Sequence, residues 1–252
     1  MKREIIVVTA AYGQQQVNAL GGQSALIPII AAAGADGIEI RRELFCQPSP
    51  LPLDSLRQQI AQAGLHCWYS VPEALFDAQG ALNAQLDQLI AEAEQLNAVG
   101  LKFSLGHYRP GSDCHALVNR LQRTSVKLVV ENDQTACGRL QAMAAWCHHQ
   151  GEQPLTSALT FDMGNWLWVG DDPLQAAAQL AHQVHYIHVK AAIPHQQHWR
   201  AVPLDEADNL WRDTLQHLPA HVPCGIEFPL QGDDLVAVTR HYVELLRQEQ
   251  PQ

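Results

Sequence analysis

Short apolar segments alternate with longer amphipathic segments along the whole 252-residue chain, and this alternation is the feature that most limits the fold. The apolar segments have the length of strands, and the segments between them carry leucine, isoleucine and alanine at the spacing of one helix face. The predicted strands are residues 4–9, 37–41, 65–71, 100–105, 126–131, 158–162, 184–189 and 222–227. The predicted helices are residues 17–33, 54–63, 81–98, 116–123, 139–149, 173–182, 208–217 and 235–248.

Strands that alternate with helices imply a parallel sheet, because each crossover helix returns the chain in the same direction. Eight such units predict an α/β fold, a single (β/α)8 TIM barrel of one domain over residues 1–252, and barrels of about 250 residues are common. A doubly wound open sheet is the alternative that the alternation leaves open. The sequence contains no GxGxxG turn or Walker loop that would favour it.

Charge and composition exclude some classes of partner. The formal net charge is -10, and no run of basic residues is longer than Arg41-Arg42, so the sequence argues against a nucleic-acid partner. No apolar stretch approaches the roughly 20 residues that cross a membrane. The six cysteines are scattered without a CxxC pair. The apolar run in MKREIIVV is short, so we do not expect it to be a signal peptide. We therefore expect a cytoplasmic protein with reduced thiols.

Four potential metal ligands stand at the ends of four consecutive predicted strands: Glu131, Asp162, His188 and Glu227. The carboxyl ends of barrel strands open on one face, which is where barrel enzymes carry their chemistry. Each residue alone has a structural explanation, since an acidic residue often caps the next helix and a histidine often bonds within the core. Together, three carboxylates and an imidazole at the end of a packed core are costly without a cation, so the pattern predicts one divalent metal ion.

The sequence resembles the xylose isomerase-like TIM barrel family, the sugar phosphate isomerase/epimerase group, over nearly the whole chain. The resemblance lies in the segments AAGADGIEIRRELF, VVEND, FDMGNWLWVGDDP, HYIHVKA and CGIEF. It implies metal ligands at Glu131, Asp162, His188 and Glu227. Three carboxylates and one imidazole favour Mn²⁺ or Mg²⁺, with Co²⁺ or Zn²⁺ as alternatives.

The activity that the resemblance implies is metal-dependent isomerisation or epimerisation of a sugar, sugar acid or sugar phosphate through an enediolate. Glu131 and Glu227 would be the catalytic acid–base residues. Proton removal by one glutamate and return by the other gives epimerisation, whereas transfer by one glutamate between adjacent carbons gives isomerisation. The sequence leaves both open.

Further residues on the same face are expected to bind the substrate. Asn165 stands where many relatives carry a substrate-binding histidine, and Arg200 follows the seventh strand, where epimerases often have an arginine. Lys190 either orients a substrate oxygen or pairs with a ligand carboxylate. The full predicted substrate-binding set is Glu39, His107, Asn165, Lys190 and Arg200.

Two other groups of side chains are expected near the site. Trp166, Trp168 and Trp199 lie in loops above the same face, where they either stack on a sugar or pack the loops. Asn132, next to Glu131, is expected to hold that carboxylate by a hydrogen bond.

Several activities compete with the isomerase or epimerase. A dehydratase on the same barrel would use the same metal and base but expel water. A DNA-repair endonuclease would need several zinc ions, more histidine ligands and a basic groove. A non-catalytic sugar-binding or regulatory barrel is the alternative outside enzymology. The resemblance implies a small-molecule carbohydrate as partner, and because relatives often form dimers or tetramers, it also implies a homo-oligomer.

Overall fold

Eight parallel strands close into a barrel in a computed structural model of the chain, which describes residues 3–45, 50–112, 114–152 and 157–249. The strands are β1 (Ile5–Val8), β2 (Gly37–Arg41), β3 (His66–Phe76), β4 (Gly100–Gly106), β5 (Lys127–Glu131), β6 (Ser157–Asp162), β7 (Val184–Val189), β8 (Ala191–His195), β9 (His198–Val202) and β10 (Cys224–Ile226). All except β8 and β9 belong to the barrel, and β10 closes it by pairing with both β7 and β1. The predicted (β/α)8 barrel is confirmed, and the open sheet is wrong.

Helices connect successive barrel strands. They are α1 (Gln14–Ala19), α2 (Leu26–Ala32), α3 (Leu53–Gln62), α4 (Leu86–Gln95), α5 (His115–Leu121), α6 (Leu140–Glu152), α7 (Asn165–Val169), α8 (Pro173–Leu180), α9 (Leu210–Gln216) and α10 (Leu235–Gln248). The single helix predicted over residues 17–33 is instead α1 and α2. Gly21 and Gly22 interrupt it with φ values of 94° and 109°, which glycine adopts readily and other residues do not. The helix predicted from residue 81 begins only at Leu86, because Leu82 forms an antiparallel bridge with Phe76.

An antiparallel hairpin, β8–β9, follows the seventh barrel strand and was not predicted from the sequence. Its strands pair from Ala191 with Val202 to His195 with His198. Pro194 and a run of polar, exposed residues remove the apolar alternation by which strands are usually recognised. The hairpin begins directly after Lys190.

Two stacked aromatic rings fill the interior of the barrel below its carboxyl end. The rings of Trp68 and Tyr186 lie 4.1 Å apart with an interplanar angle of 18°. A Cβ atom at Gly100 would lie 2.3 Å from the Trp68 ring, and one at Gly225 would lie 2.4 Å from the Tyr186 hydroxyl, so both strands need glycine there. The His188 ring packs edge-on against Tyr186, with 4.8 Å between the ring centroids. These rings therefore support the site from below.

Two further observations concern the cysteines and the apolar character of the helices. Five cysteines are free thiols, four of them buried, whereas Cys46 lies outside the described residues. No helix in the described part of the chain combines the length and the apolar character that crossing a membrane requires.

Candidate metal centre

The four predicted ligands lie together at the carboxyl end of the barrel. Glu131 ends β5, Asp162 ends β6, His188 is the next-to-last residue of β7, and Glu227 directly follows β10. One ligand atom from each residue lies within 4.8 Å of those of the other three. The cluster could therefore hold a metal ion.

Three polar atoms of this cluster lie close to one another, but their orientations do not form hydrogen bonds. His188 Nδ1 lies 2.6 Å from Glu131 Oε1 and 3.2 Å from Glu227 Oε2. None of the three has a hydrogen-bond partner among the described residues, although Lys190 Nζ also lies within ion-pair distance of Glu227 Oε2. Buried polar atoms are nearly always bonded, so the point where these atoms meet suits a cation. Carboxylate oxygens with one imidazole nitrogen fit Mn²⁺ or Mg²⁺, and also Co²⁺ or Zn²⁺.

The other nitrogen of His188 faces Glu39. His188 Nε2 lies 2.8 Å from Glu39 Oε2, which also accepts a 2.8 Å hydrogen bond from the Tyr186 hydroxyl. A carboxylate on one ring nitrogen orients the imidazole and leaves Nδ1 to face the cluster. Glu39 was expected to line the pocket, but its side chain is fully buried behind His188. Its predicted substrate-binding role stays a prediction.

Lys102 and Arg41 supply positive charge to the cluster, and the sequence reasoning missed both. Lys102, on β4, donates a short hydrogen bond to Glu131 Oε2. Arg41, which ends β2, donates from Nη1 to Glu227 Oε1 at 2.8 Å. The carboxylates therefore do not depend on a dication alone for charge relief, because the protein provides cations of its own. A lysine inside the apolar segment GLKFSL was the signal that could have revealed one of them.

Lys190 pairs with two ligand carboxylates. Its Nζ lies 2.8 Å from Asp162 Oδ2 and 2.8 Å from Glu227 Oε2, which is the ion pair weighed as an alternative to substrate binding. The aliphatic part of Lys190 passes over Gly164, where a Cβ atom would lie 2.7 Å from Lys190 Cγ. Gly164 therefore allows the ammonium group to reach the cluster.

Charges within the cluster set the protonation states of the protein without a metal. Burial lowers the pKa of His188, but the carboxylates of Glu39, Glu227 and Glu131 raise it well above the usual value. Burial raises the pKa of Glu131, yet Lys102 and His188 bring it down to about 2. Burial likewise opposes ionisation of Glu227, whose pKa Lys190 and His188 hold well below its usual value. A protonated imidazole thus lies between two ionised glutamates.

The fourth ligand behaves differently. Burial raises the pKa of Asp162 to about 7, against the opposing effect of the Lys190 ammonium. Asp162 Oδ1 accepts hydrogen bonds from the backbone N–H groups of Gly164 and Asn165, both at 2.9 Å. Asp162 therefore caps the start of α7 with one oxygen, and its Oδ2 faces Lys190.

Two asparagines tie the loop after β6 to β5. Asn132 donates to the Asp162 carbonyl oxygen and accepts from the Asp162 N–H, both at 2.9 Å. It was expected to hold Glu131, so this is a correction. Asn165 donates to the Asn132 carbonyl oxygen at 2.8 Å, and its Oδ1 accepts from Lys190 at 3.1 Å. Its amide group is thus already bonded to protein groups.

The remaining predicted residues lie further from the cluster. His107, in the loop after β4, and Arg200, on β9, are both exposed. No hydrogen bond or ion pair joins either residue to the four ligands in the described ranges, and their substrate-binding roles stay predictions. Trp166 is fully buried and packs on Phe161 at 5.3 Å between ring centroids, so it belongs to the core and does not stack on a sugar. Trp168 and Trp199 are partly exposed.

Comparison by sequence with family models and with curated proteins finds no match. Solved structures with a similar fold do exist. A xylose isomerase-like TIM barrel/4-hydroxyphenylpyruvate dioxygenase fusion protein has a TM-score of 0.72 and 15% identity over 100% of this chain. D-allulose 3-epimerase from Methylomonas sp. has a TM-score of 0.68 and 13% identity over 98% of both chains. A probable 3-DHS dehydratase from Bacillus anthracis has a TM-score of 0.64 and 15% identity, over 96% of this chain and 98% of its own.

These similarities differ in how much of the other protein they include. This chain spans 45% of the fusion protein's length but nearly all of the epimerase and the dehydratase. At such low identity the likeness establishes the fold alone. The resemblance predicted from the sequence is confirmed at that level: the chain has the fold of the xylose isomerase-like TIM barrels.

Proposed function

We propose that the protein is a divalent metal-dependent isomerase or epimerase of a small carbohydrate. The observation that carries the proposal is the convergence of Glu131, Asp162, His188 and Glu227, three of which present ligand atoms without a hydrogen-bond partner among the described residues. The fold that the chain shares with D-allulose 3-epimerase supports it further.

The two glutamates are the ligands that a substrate can reach. Their side chains are 9% and 11% exposed, whereas those of Asp162 and His188 are fully buried. Glu131 ends β5 and Glu227 follows β10, with β6 and β7 between them in the barrel. The two carboxylates therefore approach the site from different directions, which suits acid–base chemistry on a carbon held between them.

Proton transfer would be performed by these two residues. A divalent ion on the four ligands would polarise the substrate carbonyl and offset the charge that develops as a proton leaves the neighbouring carbon. Glu131 is ionised at neutral pH and can accept that proton. For epimerisation Glu227, which is ionised in the protein without a metal, would first take a proton from solvent and then return it to the opposite face of the carbon. Return of the abstracted proton from Glu131 to the adjacent carbon would give isomerisation.

Incubation in D2O tests this activity. Aldoses, ketoses and sugar acids are incubated with Mn²⁺-loaded protein, and deuterium uptake at carbon is followed by NMR. We expect uptake without loss of water, abolished by Glu131→Gln and by Glu227→Gln. Glu94→Gln, at an exposed glutamate of α4, is the matched control and should retain activity. If the protein binds Mn²⁺ but none of these compounds takes up deuterium at carbon, the proposal is contradicted.

A dehydratase is the second candidate. The fold is shared with a probable 3-DHS dehydratase, and the Lys190 ammonium beside Glu227 could protonate a leaving hydroxyl. Loss of water from the product in the same NMR experiment would favour it. A DNA-repair endonuclease is disfavoured, because the one ligand cluster in the described residues contains a single histidine and the net charge is -10.

A further inference from the structure

Each of the two ligand glutamates has one oxygen bonded to a cationic side chain and one oxygen without a hydrogen-bond partner among the described residues. Lys102 Nζ donates to Glu131 Oε2, whereas Glu131 Oε1 lies 2.6 Å from His188 Nδ1. Arg41 Nη1 donates to Glu227 Oε1 at 2.8 Å, whereas Glu227 Oε2 lies 3.2 Å from the same histidine nitrogen. The two cations therefore bind the outer oxygens, and the inner oxygens face the candidate metal position.

Asp162 is arranged in the same way, with backbone groups in place of a cation. Its Oδ1 accepts from the N–H groups of Gly164 and Asn165, both at 2.9 Å. Its Oδ2 faces Lys190 Nζ at 2.8 Å, which is also within ion-pair distance of the inner oxygen of Glu227. A glutamate has one more rotatable bond than an aspartate, and its last torsion is broad. Its two oxygens are therefore distinguished only if a neighbouring group holds one of them.

The barrel holds both cations in place. The buried side chain of Gln23 bonds the backbone N–H and carbonyl oxygen of Arg41, at 2.8 and 2.9 Å. Glu43 accepts from Arg41 Nε at 2.8 Å, so the guanidinium is oriented as well as the backbone. Lys102 is 3% exposed, and Glu131 is its only hydrogen-bond partner among the described residues. Both cations are thus fixed supports for the carboxylates that they contact.

We infer, resting on the proposed function, that Arg41 and Lys102 are positioning residues which make each ligand glutamate bind the divalent ion through a single oxygen. Carboxylates bind cations through one oxygen or through both, so the protein must select between the two modes. Binding through one oxygen keeps positions on the ion open for substrate oxygens, which Lewis-acid catalysis requires. Arg41 and Lys102 act through the glutamates and do not contact the substrate.

Relaxation of water protons by the Mn²⁺-loaded protein tests this inference without turnover, because it reports how many water molecules the ion holds. An ion with about six positions and four protein ligand atoms keeps about two waters. In Arg41→Met, Glu227 should turn its second oxygen to the ion and displace one water, which lowers the relaxation effect roughly twofold. Arg41→Lys should restore most of the effect, because it returns a donor to the outer oxygen of Glu227.

A second variant and two controls complete the experiment. Lys102→Met applies the same measurement to Glu131, and if this variant does not fold, the Arg41 variants decide. Arg57→Met, on the exposed face of α3, and Lys127→Met, at the exposed start of β5, remove matched charges and should keep the parent number of waters. Circular dichroism checks the fold of each variant, and calorimetry checks that it binds Mn²⁺.

The outcomes separate this inference from the proposed function. An equal number of bound waters in the parent and in Arg41→Met overturns the inference and leaves the metal-dependent function standing. A gain of water in Arg41→Met would mean that Glu227 leaves the ion, which also overturns the single-oxygen role. If calorimetry shows that the parent does not bind Mn²⁺, the proposed function fails and the inference fails with it.

Discussion

Replacing Glu131 with glutamine should destabilise the metal-free protein, because it removes the charge that the buried Lys102 ammonium depends on. Lys102 is 3% exposed, and Glu131 is its only hydrogen-bond partner among the described residues. Removing one member of a buried ion pair typically costs about 3–5 kcal/mol. The glutamine oxygen still accepts a hydrogen bond, so we expect a loss of unfolding free energy just below this range, about 2–3 kcal/mol.

The companion variant, Lys102→Met, should cost less. Glu131 keeps the His188 ring, whose Nδ1 lies 2.6 Å away, so the carboxylate is not left without a positive partner. The double variant removes both charges and should therefore be more stable than the sum of the single losses predicts. We expect a coupling free energy of at least about 1.5 kcal/mol, within the range for residues in direct contact.

Urea unfolding at pH 7 in the presence of a chelator measures these free energies by linear extrapolation. The same cycle on the exposed pair Arg120 and Asp87 is the control and should give a much smaller coupling. Additive losses for Lys102 and Glu131, within about 0.5 kcal/mol, would refute the buried ion pair.

Three further predictions concern the metal and the reaction. Glu227→Gln should lower deuterium uptake at carbon by at least about 100-fold, and a variant that keeps more than about a tenth of the activity contradicts a catalytic role. Glu39→Gln should weaken Mn²⁺ binding by about 10- to 100-fold in calorimetry, because His188 Nε2 loses its charged acceptor. An unchanged affinity would show that Glu39 does not orient His188. Mn²⁺ binding at pH 7 should release about one proton from His188 and a further fraction of a proton from Asp162. The pKa of His188 is well above its usual value, and burial raises that of Asp162 to about 7. The affinity for Mn²⁺ should therefore rise with pH through this range. Calorimetry in two buffers of different ionisation enthalpy measures the proton release, and finding none would contradict these protonation states.

The sequence predicted the barrel and the positions of the four ligands because both depend on local periodicity. The apolar segments and the charged residue that ends each of them are visible without tertiary information, and parallel strands bring those ends to one face. Glu131, Asp162, His188 and Glu227 lie close together for that reason.

The sequence did not predict the features that depend on how deeply a side chain is buried or on contacts between distant strands. Glu39 looked like a pocket residue, but its place behind His188 is decided by β7, nearly 150 residues later in the chain. Lys102 and Arg41 were missed as partners of the ligands for the same reason, since a strand pattern does not show which opposite charge a side chain meets. The β8–β9 hairpin was missed because its exposed strands carry little apolar alternation.

A crystal structure of the Mn²⁺-loaded protein, with the ion located by anomalous scattering, tests the central claim most directly. We expect one ion within about 2.0–2.3 Å of a carboxylate oxygen from each of Glu131, Asp162 and Glu227 and of His188 Nδ1, with His188 Nε2 still bonded to Glu39. Asp162→Ala should then bind Mn²⁺ more weakly than the parent protein in solution. An ion held outside this cluster, or an Asp162→Ala variant that binds Mn²⁺ as tightly as the parent, would contradict the account.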